Sequence, residues 1–191
     1  ESGVPRASAY REWPNKAAFH LDLMCELAGP NWQGTAAFDA DTIRVAMAVV
    51  ADRLHLLHTP QGRRAVLMDA ARQGAEQNCR TVATSAQWRS YVTLSATLLS
   101  LPEQSDRDRV RTALEEAERT FIGRMARFYE VMAIILGVRL RPWVPSFLHV
   151  AAAGAAVVEG LGLRNLLTPD LVGTPLHPEG PDGEPWSLAA V

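Results

Sequence analysis

Apolar residues along the chain recur three and four positions apart, and no run alternates with period two between hairpin turns. That spacing puts apolar side chains on one face of a helix, so the pattern predicts an all-α fold. Asn15 caps a helix starting at Lys16, with Phe19, Leu23, Cys25 and Leu27 as its apolar positions and Gly29-Pro30 as its stop. Asp39 or Asp41 opens the next, with Ile43, Met47, Val50, Leu54 and Leu57 on one face. Thr59-Pro60 reads as a cap followed by proline at the first helical position, opening Gln61 to about Arg80. Thr84 or Ser85 starts a helix through Trp88, Tyr91, Leu94, Leu98 and Leu101 that Pro102 stops. Ser105-Asp106 caps the longest, whose series is Val110, Leu114, Ala117, Phe121, Met125, Phe128, Met132 and Ile135 before Pro142 and Pro145 break it. Pro145 or Ser146 opens the last helix, which ends at Thr168-Pro169. Residues 168–191 hold five prolines and three glycines and are expected to form an extended tail.

Composition narrows the class. The 191 residues are 48% apolar and 21% charged, as expected of a soluble chain that buries a core. A net charge of −2 argues against polyanion binding by the bulk of the chain. Residues 1–16 differ, because Arg6, Arg11 and Lys16 outweigh Glu1 and Glu12, so any nucleic-acid contact would be local to that end. Lys16 is the only lysine, and the Arg- and Ala-rich usage reads as codon bias. Cys25 and Cys79 have no metal-binding spacing and read as reduced, buried thiols of a cytoplasmic protein, with no signal peptide ahead of them. The apolar run 147–163 looks too short for a membrane span, carries His149 and Glu159, and is expected to be a packed helix.

The opening GVPRASAYREWPNKAAF holds the most specific signal. Gly3 permits a tight turn, Pro5 presets φ for helix entry, and Pro14 ends the helix after Trp13. So short a helix is unstable alone and must pack on helices that precede it. Short, polar and Arg-bearing is what a recognition helix in a helix-turn-helix requires. The stretch resembles the recognition helix and following turn of the TetR family of bacterial transcriptional repressors, through Gly3, Val4, Arg6, Tyr10, Trp13, Asn15, Lys16 and Phe19. Pro5 stands where that family more often has serine. The ending VEGLGLRNLLTPDL, 158–171, resembles the family's last helix.

The resemblance implies a DNA-binding remnant at 1–15, with two further helices before Glu1, and a helical effector-binding and dimerisation domain at 16–167. It implies phosphate contacts by Tyr10 and Lys16, and groove-facing side chains in Arg6, Ser8 and Arg11, on a palindromic operator. It also implies a homodimer made by the last two helices. There the small residues Ala151, Gly154, Ala155, Val158, Gly160 and Gly162 would let a partner helix approach, although a helix buried in a monomer uses the same residues. A small apolar or aromatic effector is expected among Trp88, Tyr91, Phe121, Met125 and Phe128, with Arg72, Asn78 or Gln87 holding one polar group. Each of these residues is equally well explained as plain core. Trp143 and Trp186 are candidates for the entrance, and the tail could equally pack on a partner subunit. His55 and His58 stand three apart but lack a third ligand at a recognisable spacing, so no metal is expected. No nucleophile has a neighbouring base in a known motif, and no enzyme activity or cofactor is expected. The rival readings are a helical dimeric interaction module without DNA binding, and a small-molecule-binding protein.

Overall fold

Capping chemistry sets most of the boundaries. The structure, a computed structural model, describes residues 10–28, 38–176 and 186–190. The helices are α1 (Lys16–Ala28), α2 (Ala40–Asp52), α3 (Pro60–Thr84), α4 (Ala86–Leu98), α5 (Gln104–Leu136), α6 (Phe147–Leu167) and α7 (Pro169–Gly173). Short 3-10 turns occupy Leu54–Leu56 and Leu188–Ala190. The fold is all-α, with no strand among the described residues. Asn15 Oδ1 accepts from Ala18 N, Asp39 Oδ1 from Thr42 N, Thr59 Oγ1 from Gly62 N and Ser85 Oγ from Trp88 N. Each side chain thus satisfies a helix-start N–H that has no partner within the helix.

The end of α5 differs from expectation. Helix α5 stops at Leu136, ahead of both prolines, because Gly137 takes φ +62. Gly137 N donates to Ile134 O and Val138 N to Ala133 O, a Schellman closure that glycine accommodates without a Cβ penalty. The tail differs too. Instead of an extended segment, α7 forms, Leu176 N donates to Trp186 O, and Ser187 Oγ donates to Glu76 Oε1 of α3. Arg72 lies 5.7 Å over the Trp186 ring, so the segment at Trp186 and Ser187 packs back on α3 of the same chain.

The chain divides into two compact units, Glu1–Gly34 with Arg89–Thr120, and Thr35–Trp88 with Phe121–Val191. In the first unit, Ala28 packs with Val110 and Leu114, backed by Leu21, Met24, Cys25, Tyr91 and Leu98. The inner face of α1 is therefore rotated from the expected one, and Phe19, Leu23 and Leu27 form an exposed apolar stripe. In the second unit, Val49, Val50, Val66, Ala70, Met132 and Leu136 make the core. Val66 and Leu136 are wholly buried, each contributing about 1.5–3 kcal/mol of transfer free energy. Helix α2 faces inward with Thr42, Ala46, Val49 and Val50, while Met47 and Leu54, expected inside, are exposed.

Helix α6 has 21 residues and is long and apolar enough to cross a membrane by length and composition, contrary to the expectation that the run is too short. Its residues Ala151, Ala155, Val158 and Gly162 are buried within its own chain.

Candidate functional site

A cavity of about 640 Å³ lies within the second unit, and the pattern of small residues explains it. Along α3 the lining residues are Leu67, Ala70, Ala71, Gly74, Ala75 and Asn78. They recur at three- and four-residue steps on one face, and four of the six have a side chain no larger than a methyl group. Opposite stand Ala153, Gly154, Val157 and Val158 of α6, with Phe147 and Val150. Helix α5 supplies Met125, Phe128, Tyr129, Met132 and Ala133, and α2 supplies Thr42 and Ala46, with Phe38 just ahead of it. Alanine and glycine occupy little volume, so the space between these helices stays open.

The wall at the start of α2 is polar and tightly organised. Phe38 has φ +59, a backbone conformation costly for a bulky L-residue. It is held there by Asn78 Oδ1, which accepts from Phe38 N at 2.6 Å. The Phe38 ring meets Phe128 and Tyr129 edge-on, with centroids 5.3 and 5.9 Å away. Thr81 Oγ1 donates to Asp39 Oδ2, tying the α2 cap to α3. One turn further along α2, Thr42 is 3% exposed and its Oγ1 has no hydrogen-bond partner. An unpaired buried hydroxyl costs about 1–3 kcal/mol, and this oxygen is closed off from the cavity although other atoms of Thr42 line it. Burial raises the Tyr129 phenol above its ordinary value, keeping it protonated and a donor at neutral pH. Arg139 is the only charged residue among the described lining residues and is exposed. A second, outer groove of about 670 Å³ shares Val138, Arg139, Leu140 and Phe147 and adds Glu130 and Ile134. The cavity, with its polar wall, is the better-formed site.

Comparison with protein-family models, with curated proteins and with solved structures finds no match.

Of the residues expected to hold an effector, Asn78, Met125 and Phe128 line the cavity. Trp88 and Phe121 are buried outside its lining, with Trp88 packed beside Gly162. Tyr91 belongs to the first unit, where its hydroxyl donates to Glu118 Oε2. Gln87 is exposed on α4, and Arg72 is engaged by Asp69 and Trp186. Trp143 is exposed with Arg141 stacked on it and is not part of the lining. Phe38, Thr42 and Tyr129 are the residues that sequence reasoning missed. The small-residue stripe on α3 was the signal available for the cavity itself.

The small residues expected at a dimer interface are mostly buried inside the chain itself. Ala151, Ala155, Val158 and Gly162 are buried, and a Cβ at Gly162 would lie 2.7 Å from Val82 Cγ1. Gly154 faces Tyr129 in the cavity. The face of α6 that remains open carries Leu148, Leu163, Leu166 and Leu167.

In the first unit, residues 10–12 are helical, and Tyr10, Arg11 and Lys16 are exposed. Arg6 and Ser8 lie outside the described residues. Trp13 Nε1 donates to Asp22 Oδ2 at 2.8 Å, and Arg109 pairs with the other oxygen. These bonds, the Trp13 one foremost, hold the Asp22 carboxyl below the usual range. They fix the end of the opening segment on α1. His55 lies in a 3-10 turn and His58 in the turn after it, both exposed, so the pair does not share one α-helix. Burial pushes the Cys79 thiol up to about 11, which makes it a poor nucleophile at neutral pH.

Proposed function

We propose that the chain is a ligand-responsive DNA-binding regulator of the TetR type, acting as a repressor on a palindromic operator and released by an apolar small molecule. The cavity of about 640 Å³ carries the reading, because its size and apolar lining suit a drug-sized organic ligand. The ordered residue match from Gly3 to Phe19 supplies the DNA-binding half. Exposed Tyr10 and Lys16 are available to phosphates, and Asp22 anchors the adjoining Trp13. The apolar stripe of Phe19, Leu23 and Leu27 is a surface that the remainder of a helix-turn-helix domain would cover.

A homodimer suits a two-fold operator, and the open Leu163, Leu166 and Leu167 face of α6 is the surface proposed for it. A reading as a small-molecule-binding protein without DNA rests on the cavity alone. The test is a gel-shift selection with the full-length gene product against duplexes from its own upstream region. A palindromic duplex should be retained, with affinity falling steeply between 50 and 200 mM salt as counterions are released. Lys16→Ala should weaken binding to every sequence alike. Failure to retain any duplex at low salt removes the DNA half and leaves the second reading.

A further inference from the structure

Four described lining residues of the cavity carry a polar side-chain group: Thr42, Asn78, Tyr129 and Arg139. Three of them are limited. Thr42 Oγ1 is closed off, and Asn78 spends its oxygen on Phe38 N, which leaves only amide N–H groups. Arg139 follows the end of α5, where the cavity meets the outer groove, and is exposed. Tyr129 differs. Its hydroxyl makes no hydrogen bond with another described residue, yet unlike Thr42 Oγ1 it keeps accessible surface. The phenol oxygen stands 3.3 Å from the point that a Cβ at Gly154 would occupy, and Met125 Cε is 4.0 Å from the same point. Gly154 and Met125 also line the cavity, so the Tyr129 side chain reaches from α5 across to α6 and ends within the lining. Glycine at 154 permits this approach, because a side chain there would crowd the phenol. Desolvation keeps the phenol protonated at neutral pH, so its hydrogen is available to an acceptor.

We propose that Tyr129 is the polar anchor of the cavity, donating its hydroxyl hydrogen to one acceptor oxygen of an uncharged, largely apolar ring compound, beside Gly154. This rests on the ligand-binding reading above and adds the residue that orients the ligand. Phe38 and Phe128 supply aromatic surface, and Ala70, Ala71, Gly74 and Ala75 leave the α3 side flat, which suits a planar ring system. A ligand without the oxygen leaves the phenol hydrogen unpaired once water is displaced, and a site built to hydrogen-bond discriminates against such a ligand. A carboxylate there would be desolvated without a cation. Arg139, the only charged residue among the described lining residues, follows Leu136, which is about 10 Å along α5 from Tyr129.

The test uses three matched fluorescent probes on the whole chain: pyrene, 1-acetylpyrene and 1-pyrenecarboxylate. The expected result is that 1-acetylpyrene binds about tenfold more tightly than pyrene, the gain of one well-placed hydrogen bond. Tyr129→Phe, which keeps the ring and deletes the hydroxyl, should remove most of that preference and leave pyrene affinity unchanged. The infrared ketone stretch of bound 1-acetylpyrene should rise in the same variant, since the carbonyl loses its donor. Gly154→Ala, which crowds the phenol oxygen, should cut the preference as well. Val150→Trp, which fills the cavity, should abolish binding of both neutral probes. Equal affinity for pyrene and 1-acetylpyrene, or a preference that survives either Tyr129→Phe or Gly154→Ala, overturns the proposal while leaving the cavity as a ligand site. Equal losses of both neutral probes in Tyr129→Phe also overturn it, because the residue would then only shape the wall. Tightest binding by 1-pyrenecarboxylate overturns it in favour of an anionic ligand. Binding of no probe, or binding indifferent to Val150→Trp, removes the ligand-binding reading itself and the proposal with it.

Discussion

Asn78 lines the cavity through α3 and at the same time holds the segment ahead of α2. As a polar residue on the cavity-facing side of a helix, it has the chemistry of a ligand contact. Its carboxamide oxygen, however, holds the backbone of Phe38, forty residues away, in the left-handed region. Asn78→Ala should leave that buried N–H unpaired and release a strained residue, costing about 1–3 kcal/mol in urea denaturation. An unchanged midpoint would mean that the Phe38 conformation does not depend on this bond. Asp22 makes a second, pH-dependent prediction. Its folded carboxyl titrates below the ordinary value, so the unfolded chain binds more protons as the pH falls. The stability it contributes is present above the ordinary carboxylate pKa and is lost as pH falls through the lowered folded one. Asp22→Asn should therefore flatten the acid limb of the stability profile below about pH 4 and leave its shape near neutrality alone. Denaturation midpoints from pH 3 to pH 7 would check it.

Among the elements, α6 separates what small residues mean by position. Gly160 and Gly162 look alike in sequence, yet a Cβ at Gly160 meets nothing within 4 Å, and one at Gly162 lies 2.7–3.0 Å from Val82 and Trp88. Gly160→Ala should stabilise the helix by about 0.5–1 kcal/mol through backbone entropy. Gly162→Ala should instead cost about 1–3 kcal/mol by overpacking, and thermal melts of the two variants should shift in opposite directions. Small residues on α3 behave differently again. A Cβ at Gly74 would lie 3.5 Å from Ala46 Cβ of α2, an ordinary contact, whereas the same stripe elsewhere borders open space. Periodicity locates such a stripe but does not say whether a partner helix closes on it. That depends on the bulk of residues such as Phe38, Phe128 and Phe147, brought in from other elements. Large aromatics do not by themselves separate cavity from core: Phe128 lines the cavity, whereas Trp88 and Phe121 are buried outside its lining.

For the whole molecule, the proposed homodimer has to use surface left over after each unit has packed. Ala155 and Val158 are already buried within the chain, so charged replacements there should unfold it and not merely split the proposed dimer. Leu163→Glu with Leu166→Glu lies on the open face and should give folded monomers by light scattering, with the helical circular dichroism kept. Persistent dimers would move the interface to another face, such as the α1 stripe. The sequence by itself determined the all-α class, the helix order, and most helix starts, because caps such as Asn15, Asp39, Thr59 and Ser85 act over three residues. The tertiary structure alone decided which face of α1 and α2 turns inward, where the chain divides, how the tail returns to α3, and where a cavity remains. Those outcomes depend on side chains tens of residues apart competing for the same volume. Local periodicity, which sees one helix at a time, carries no record of that competition.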